Sequence, residues 1–326
     1  MKIHSYILLV LIVLAVFLAG LLYGPANISP LEAAKALYDD ESNLTKLILL
    51  EVRLPRVLLA LSIGASLGIS GAALQGFLQN PLAEPALLGS GPAAALGSVI
   101  VFYFGAFGAG ALILPLAGIV SALLATVFVW FLAGRAGNST TLILAGVAIS
   151  SLAGSLTALV LNFAPNPFAA AEIIFWLMGS LADRSMEHLW VSLPFMIIGW
   201  LLLLSVRTTL DALSLGAETA RSLGVSFRNI SIRIIFGTAL AVGAATSVAG
   251  VIGFVGLAVP HILRPFVGHR PGSLLFASAL GGAVMLGIAD LAVRLFSVGA
   301  ELKLGVLTAL IGAPFFLALI LNLRRG

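Results

Sequence analysis

The chain has 326 residues, of which 60% are hydrophobic and 9% charged, whereas a soluble domain carries about 25% charged residues. So few charges cannot cover a soluble surface of this size, and those present cluster between long apolar runs, the pattern of a chain solvated mostly by lipid. The net charge of +4 is spread along the inter-span loops, which is membrane topology and not a nucleic-acid patch, and the lack of cysteine excludes disulfides, thiolate metal sites and a lipidated N-terminal cysteine.

A membrane-crossing helix needs about 20 mostly apolar residues, and ten stretches are expected to be spans: roughly 5–24, 57–76, 86–104, 109–133, 140–162, 188–206, 230–249, 251–267, 274–296 and 304–323. The first follows Lys2 and His4, and its apolar run from Tyr6 to Leu22 is long for a signal-peptide core, so an uncleaved helix is expected. Segment 25–56 reads as an outer loop. Within it, Ser29 precedes Pro30, Leu31 and Glu32, an N-cap with proline at the first helical position, which predicts a short surface helix over 30–38. In the second span, Gly64 and Gly68 permit close helix approach.

Segment 164–187 opens with Pro165 and Pro167 and runs into Glu172-Ile-Ile-Phe-Trp-Leu-Met-Gly179, apolar but too short to cross. It is expected to lie at the outer interface or to re-enter the bundle. Thr208 to Asn229 is polar, with two helical pieces expected to part at Gly216 and end at Gly224. A plain connection needs only about 2–8 residues, so the extra length favours a docking segment over a solvated amphipathic loop. Asp211 sits near the start of the first piece, and Glu218 and Arg221 lie three apart on one exposed face. Pro92, Pro115, Pro194, Pro260 and Pro314 predict kinked or broken helices.

Lysines and arginines beside the spans set orientation. With the N-terminus inside, the cytoplasmic side receives Lys2, Arg135, Arg207, Arg221, Arg228, Arg233, Arg264, Arg270, Arg324 and Arg325, and the outer side Lys35, Lys46, Arg53, Arg56, Arg184, Arg294 and Lys303. Most acidic residues fall outside, among them Asp39, Asp40, Glu41, Glu51, Asp183 and Glu187. Both termini are expected to be cytoplasmic.

An ordered set of motifs resembles the permease family of iron-siderophore, haem and vitamin B12 importers. It comprises Arg53-Leu-Pro-Arg56, Gly71-Ala-Ala-Leu-Gln75-Gly, Gln79-Asn80-Pro81-Leu-Ala-Glu84-Pro85 with Leu87-Leu-Gly89, Leu144-Ala-Gly146-Val, and Trp176-Leu-Met-Gly179. It continues through Leu215-Gly216-Ala-Glu218-Thr-Ala220-Arg221-Ser-Leu223-Gly224, Gly253-Phe-Val-Gly256-Leu-Ala-Val-Pro260-His261-Ile-Leu-Arg264, Asp290 to Arg294, and Gly312-Ala-Pro314-Phe. Each piece alone is weak; the ordered set covers nearly the whole chain. Ser90-Gly91-Pro92 departs from the family's usual stretch.

The resemblance implies a single all-α permease domain over 1–326, with about ten transmembrane helices in a vitamin B12 permease-like arrangement, in the inner membrane of a bacterium or archaeon. It implies a homodimer with a central pathway, two ATPase subunits below and a periplasmic substrate-binding protein above. Asp211, Leu215, Gly216, Glu218, Ala220, Arg221, Leu223 and Gly224, in the cytoplasmic segment 208–229, would couple to the ATPases. Arg53, Arg56 and Arg294 would dock the binding protein, with internal pairing of Arg294 to Asp290 as the alternative. Asn80, Pro81, Glu84, Pro85, Pro260 and His261 would shape a gate or the inner end of the bundle, His261 through a structural hydrogen bond and not as a metal ligand.

The chain has no G-x-x-x-x-G-K-[ST] phosphate loop, so ATP and magnesium are expected to be used by the partner ATPase and no cofactor is expected on the permease. An ion-coupled secondary transporter would place ionisable groups near the bilayer midplane, where the spans are nearly free of charge. An intramembrane enzyme would need paired aspartates or His-Glu-x-x-His within the spans, and the spans contain neither.

Overall fold

The computed structural model describes residues 3–26, 28–38, 44–104, 112–134, 139–297 and 302–323. Lys2, Asp39, Asp40, Glu41, Arg135, Arg324 and Arg325 of the topology argument lie outside the described residues. Among the described residues the regular structure is helical throughout.

Helix α1 (Ile3–Leu22) carries no charge in its first or last turn and exposes Leu8, Leu11, Leu14 and Leu18, as a helix facing lipid does. Helix α2 (Pro30–Tyr38) opens in the expected cap, made reciprocal. Ser29 Oγ accepts from the Glu32 N–H at 3.2 Å, and the Glu32 carboxylate accepts from the Ser29 N–H at 2.9 Å. The backbone bond from Ser29, then its hydroxyl, hold the Glu32 carboxyl below its ordinary value of 4.5. A depressed folded value means the cap is complete above 4.5 and is lost as pH falls through the lower folded value. Hydrogen exchange at the first-turn amides of α2 should therefore speed up only on acidification below that range.

The second crossing begins earlier than the sequence suggests. Helix α3 (Leu44–Leu47), a π-helical stretch Ile48–Arg53 and α4 (Leu54–Leu78) run on as one helix from Leu44 to Leu78. Residues 44–56 are thus helix and not loop. Pro55 explains the local form, because it cannot donate to the preceding turn and the wider π geometry gives its ring room.

Helix α4 ends at Gln79, in the left-handed conformation, and a short 3-10 turn at Pro85–Leu88 leads into α5 (Ser90–Tyr103). There follow α6 (Ile113–Ala133), α7 (Ser139–Asn162), α8 (Pro167–Leu177), α9 (Met186–Leu204), α10 (Arg207–Leu213), α11 (Ala217–Ser222) and α12 (Phe227–Ala249). The chain closes with α13 (Val255–Leu263), α14 (Pro271–Phe296) and α15 (Leu304–Leu323).

Seven helices among the described residues are long and apolar enough to cross a membrane. The other three expected spans coincide with α5, α13 and α15, but α5 and α13 have 14 and 9 residues, too few to cross alone at about 1.5 Å per residue. The eighth expected span, 251–267, is corrected accordingly: helix begins only at Val255 and gives way to a 3-10 turn at Arg264.

Helices α4 and α12 form the centre, with 78% of each apolar window buried, and α14 follows with 61%; α1 and α7 lie outside with 11% and 17%. Glycine sets the central crossings. A Cβ at Gly64 would overlap the Gly282 carbonyl, at Gly68 the Ser278 carbonyl, and at Gly71 the Gly256 carbonyl. The three lie on one face of α4 and let α14 and α13 approach backbone to backbone.

The break between α12 and α13 is also closed by backbone. Ser180 N–H donates to Ala249 O at 2.8 Å, Val251 N–H to Leu177 O at 3.3 Å, and Gly305 N–H to Gly179 O at 3.3 Å. Non-helical backbone inside a bundle is tolerated where such partners satisfy it.

Candidate functional site

The segment that follows α9 is built as the sequence indicates. Gly216 (φ 102°) separates α10 from α11 and Gly224 (φ 82°) follows α11, both in the region where only glycine is unstrained. Leu215 and Leu223 stand 64% and 63% exposed, and Glu218 and Arg221 are exposed beside them. The Arg221 guanidinium lies 5.1 Å from the centre of the Phe227 ring, which fixes its stem while leaving the charge presented. Behind this edge is a cleft of about 400 Å³ lined by Thr208, Thr209, Ser226, Asn229 and Arg233.

Two expected surface residues point inward instead. Asp211 Oδ1 accepts from the Gly272 N–H at 2.8 Å, a carboxylate at the N-terminus of α14 where the helix dipole favours it. Ala220 is fully buried with Leu210, Leu213 and Ile230. Both anchor the segment to the bundle.

At the opposite end of α4, the arginines expected to meet a partner are engaged inside the fold. Arg53 is 4% exposed, and its Nη1 donates to Leu21 O at 2.8 Å and Leu22 O at 2.7 Å, while Nη2 donates to Ala26 O. These are carbonyls at and beyond the C-terminus of α1, which attract a cation. Arg56 Nε lies 2.8 Å from Asp290 Oδ1, and Arg294 Nε 3.1 Å from Asp290 Oδ2. Arg294 also donates to Gly20 O at 2.9 Å and Tyr23 O at 3.3 Å. The alternative reading of Arg294 as Asp290's partner is what the structure contains, and all three guanidinia are recessed and internally bonded.

The loop after α4 and the broken helix α13 meet. Asn80 Oδ1 accepts from Leu82 N–H at 2.9 Å across Pro81, and Glu84 accepts from the Phe254 N–H at 2.8 Å. Phe254 has φ 68°, so the carboxylate caps α13 at a strained residue. Pro85 packs on Gly256. Pro260, inside α13, cannot donate to the Gly256 carbonyl four residues back. Gln75 Nε2 stands 3.4 Å from both Gly256 O and Leu257 O, and Arg264 Nη2 holds the Gln75 Oε1 at 2.6 Å. Sequence reasoning missed Gln75, beside the carbonyls left open near Pro260, and Arg264, which holds it; an amide in the last turn of an apolar span was the signal.

His261 departs from its expected structural hydrogen bond. Its Nδ1 is buried without a hydrogen-bond partner among the described residues, and its ring meets Phe315 edge-on with centroids 5.8 Å apart.

Below the break lies a cleft of about 650 Å³ walled by Leu177, Met178, Val251, Phe254, Leu310 and Pro314, without a charged side chain. Such a wall offers a solute no charged partner.

Comparison with known proteins agrees with this geometry. The FecCD transport family matches residues 10–322. The hemin transport system permease protein of Yersinia pestis is 38% identical over 331 residues, covering 98% of this chain and 96% of its own. The vitamin B12 import system permease protein of Vibrio cholerae is 38% identical over 316 residues, covering 96% and 92%. A solved structure described as an inward-facing conformation of a metal-chelate type ABC transporter superposes with a TM-score of 0.84 at 31% identity, covering 96% of this chain and 97% of that one.

Proposed function

The chain belongs to the FecCD transport family, and from this we propose that it is the membrane-spanning permease of an ATP-driven importer carrying an iron chelate, such as a siderophore complex or haem, or vitamin B12. The observation that supports this best is the whole-chain likeness to the metal-chelate transporter. Iron complexes are favoured as cargo on family frequency.

In this reading 1–326 is one permease domain, with both termini cytoplasmic. Two copies enclose a pathway, and the apolar cleft below the α12–α13 break contributes to its wall. Two ATPase subunits, which use ATP and magnesium, dock on α10 and α11. Leu215, Glu218, Arg221 and Leu223 make the contact, Gly216 and Gly224 shape it, and Asp211 and Ala220 pass the displacement to α14 and the core. The helix break at Gly250–Phe254, clamped by Glu84 and Gln75, is where an inner gate moves as access alternates. A periplasmic binding protein docks at the opposite end, around Arg53, Arg56 and Arg294.

Ion coupling is the alternative. The buried Asp290 is engaged by Arg56 and Arg294, and Glu84 by the Phe254 N–H, which argues against a cycling proton or sodium site.

Glu218→Arg and Arg221→Glu change exposed residues and should leave the purified chain folded. Introducing like charges against a docking partner costs several kcal/mol, so ATP-dependent uptake should fall by about tenfold or more, with loss of co-purifying ATPase. Unchanged uptake together with unchanged ATPase recovery would remove the segment from coupling.

A further inference from the structure

Gln75 is 3% exposed in α4, one turn after Gly71 and on the same face, so its amide stands where α13 crosses. Its Nε2 lies 3.4 Å from each of three carbonyls: Ala83 O in the loop after α4, and Gly256 O and Leu257 O in α13. These are long contacts for an N–H donor. They matter because Pro260 leaves Gly256 O without its usual helical donor. The strong bond is on the other side of the amide, where Arg264 Nη2 donates to Gln75 Oε1 at 2.6 Å, a charge-assisted bond.

A guanidinium can only donate and the three carbonyls can only accept, so both neighbours require the same orientation of the amide. Take Arg264 away, and Gln75 Oε1 becomes a buried acceptor without its donor, which costs more than a lost exposed bond. The side chain then turns to find another donor, and the three carbonyls open together. Arg264 also stands where a pull arrives. It begins the 3-10 turn Arg264–Val267 that leads towards α14, and the His269 N–H donates back to its carbonyl at 3.2 Å. His269 is itself left-handed, at φ 60°. At the start of α14 the Gly272 N–H is held by Asp211, in the segment that follows α9.

We propose that Arg264 is a positioning residue of the inner gate, a role that rests on reading Gly250–Phe254 as that gate. Through the Gln75 amide it holds α13 against α4 and the loop after α4. Glu84 caps the other end of α13 at Phe254, so the short helix is held at both ends. A displacement of the segment after α9 reaches Arg264 through Gly272 and the turn before α14. It draws the guanidinium off Gln75 and frees the break.

The test is hydrogen exchange read by mass spectrometry on the purified full chain, which needs neither cargo nor ATPase. Arg264→Gln should exchange about tenfold faster at the amides of α13, as loss of one charge-assisted bond allows, with α12 unchanged. Arg264→Lys keeps an N–H donor and should stay within about threefold of the native chain. In a chain carrying Gln75→Met, Arg264→Gln should add nothing further, because residues that act through one contact are not additive. In proteoliposomes, Arg264→Gln should raise the ATP hydrolysed per chelate accumulated by about threefold or more, because a freed gate is open in a larger share of molecules. Additive effects of the two substitutions, native exchange in Arg264→Gln, or faster exchange spread evenly over all helices overturns the proposal. So does an unchanged ratio of ATP to chelate beside faster exchange, which would make Arg264 an anchor of α13 and nothing more. A native chain that accumulates no chelate would count against the importer reading alone, and the exchange measurements would still decide whether Arg264 acts through Gln75.

Discussion

Gly71→Val is expected to yield no monodisperse protein after detergent extraction. The new Cβ would overlap the Gly256 carbonyl, and that carbonyl belongs to α13, where Gln75 also reaches it. Backbone cannot step aside as a flexible side chain can, so the cost should exceed the ordinary overpacking penalty of about 1–3 kcal/mol. Gly64→Val and Gly68→Val meet the same obstacle on α14 and should behave alike. Gly154 is the control: nothing lies within 4 Å of a Cβ built there, so Gly154→Ala should extract normally and gain roughly 0.5–1 kcal/mol of helix propensity. A symmetrical size-exclusion peak for Gly71→Val at native yield would mean that α4, α13 and α14 do not cross as described.

Asp290→Ala should cost nearly as much by a different mechanism. The aspartate is 1% exposed and lies between two guanidinia, themselves 14% and 6% exposed. Removing one partner of a buried ion pair leaves uncompensated charge, worth about 3–5 kcal/mol, so the thermal midpoint should drop by about 4–7 °C. Replacing Arg56 and Arg294 by methionine in the same chain should recover part of the loss, because an apolar substitute carries no desolvation penalty. A midpoint within about 2 °C of the native chain for Asp290→Ala would contradict the buried network.

The sequence was most informative where the determinants are local. Apolar runs located the helices, Ser29 and Glu32 marked the start of α2, and Gly216 and Gly224 marked the breaks around α11, because caps and positive-φ turns depend on a few adjacent residues. It was least informative where the partner is remote. Val251-Ile-Gly-Phe254 is as apolar as any helix, but its backbone is satisfied by Leu177 and its neighbours and by Glu84, far away in the chain. The start of the second crossing was hidden because Glu51, Arg53 and Pro55 interrupt an apolar pattern that the π stretch carries through. Arg53 looked like a surface cation because a sequence shows charge at an interface but not the α1 carbonyls that receive it. Asp211 likewise looked like part of a docking surface, when its partner is Gly272, 61 residues on.

Import of a metal chelate should be driven by a separate ATPase. Its most direct test is uptake into proteoliposomes containing the chain with its ATPase, supplied with the binding protein and with ferric siderophore, haem or cobalamin in turn. One labelled chelate should accumulate only when ATP is hydrolysed, and Glu218→Arg with Arg221→Glu should abolish the accumulation. Uptake that needs no ATPase and follows a proton or sodium gradient would contradict it.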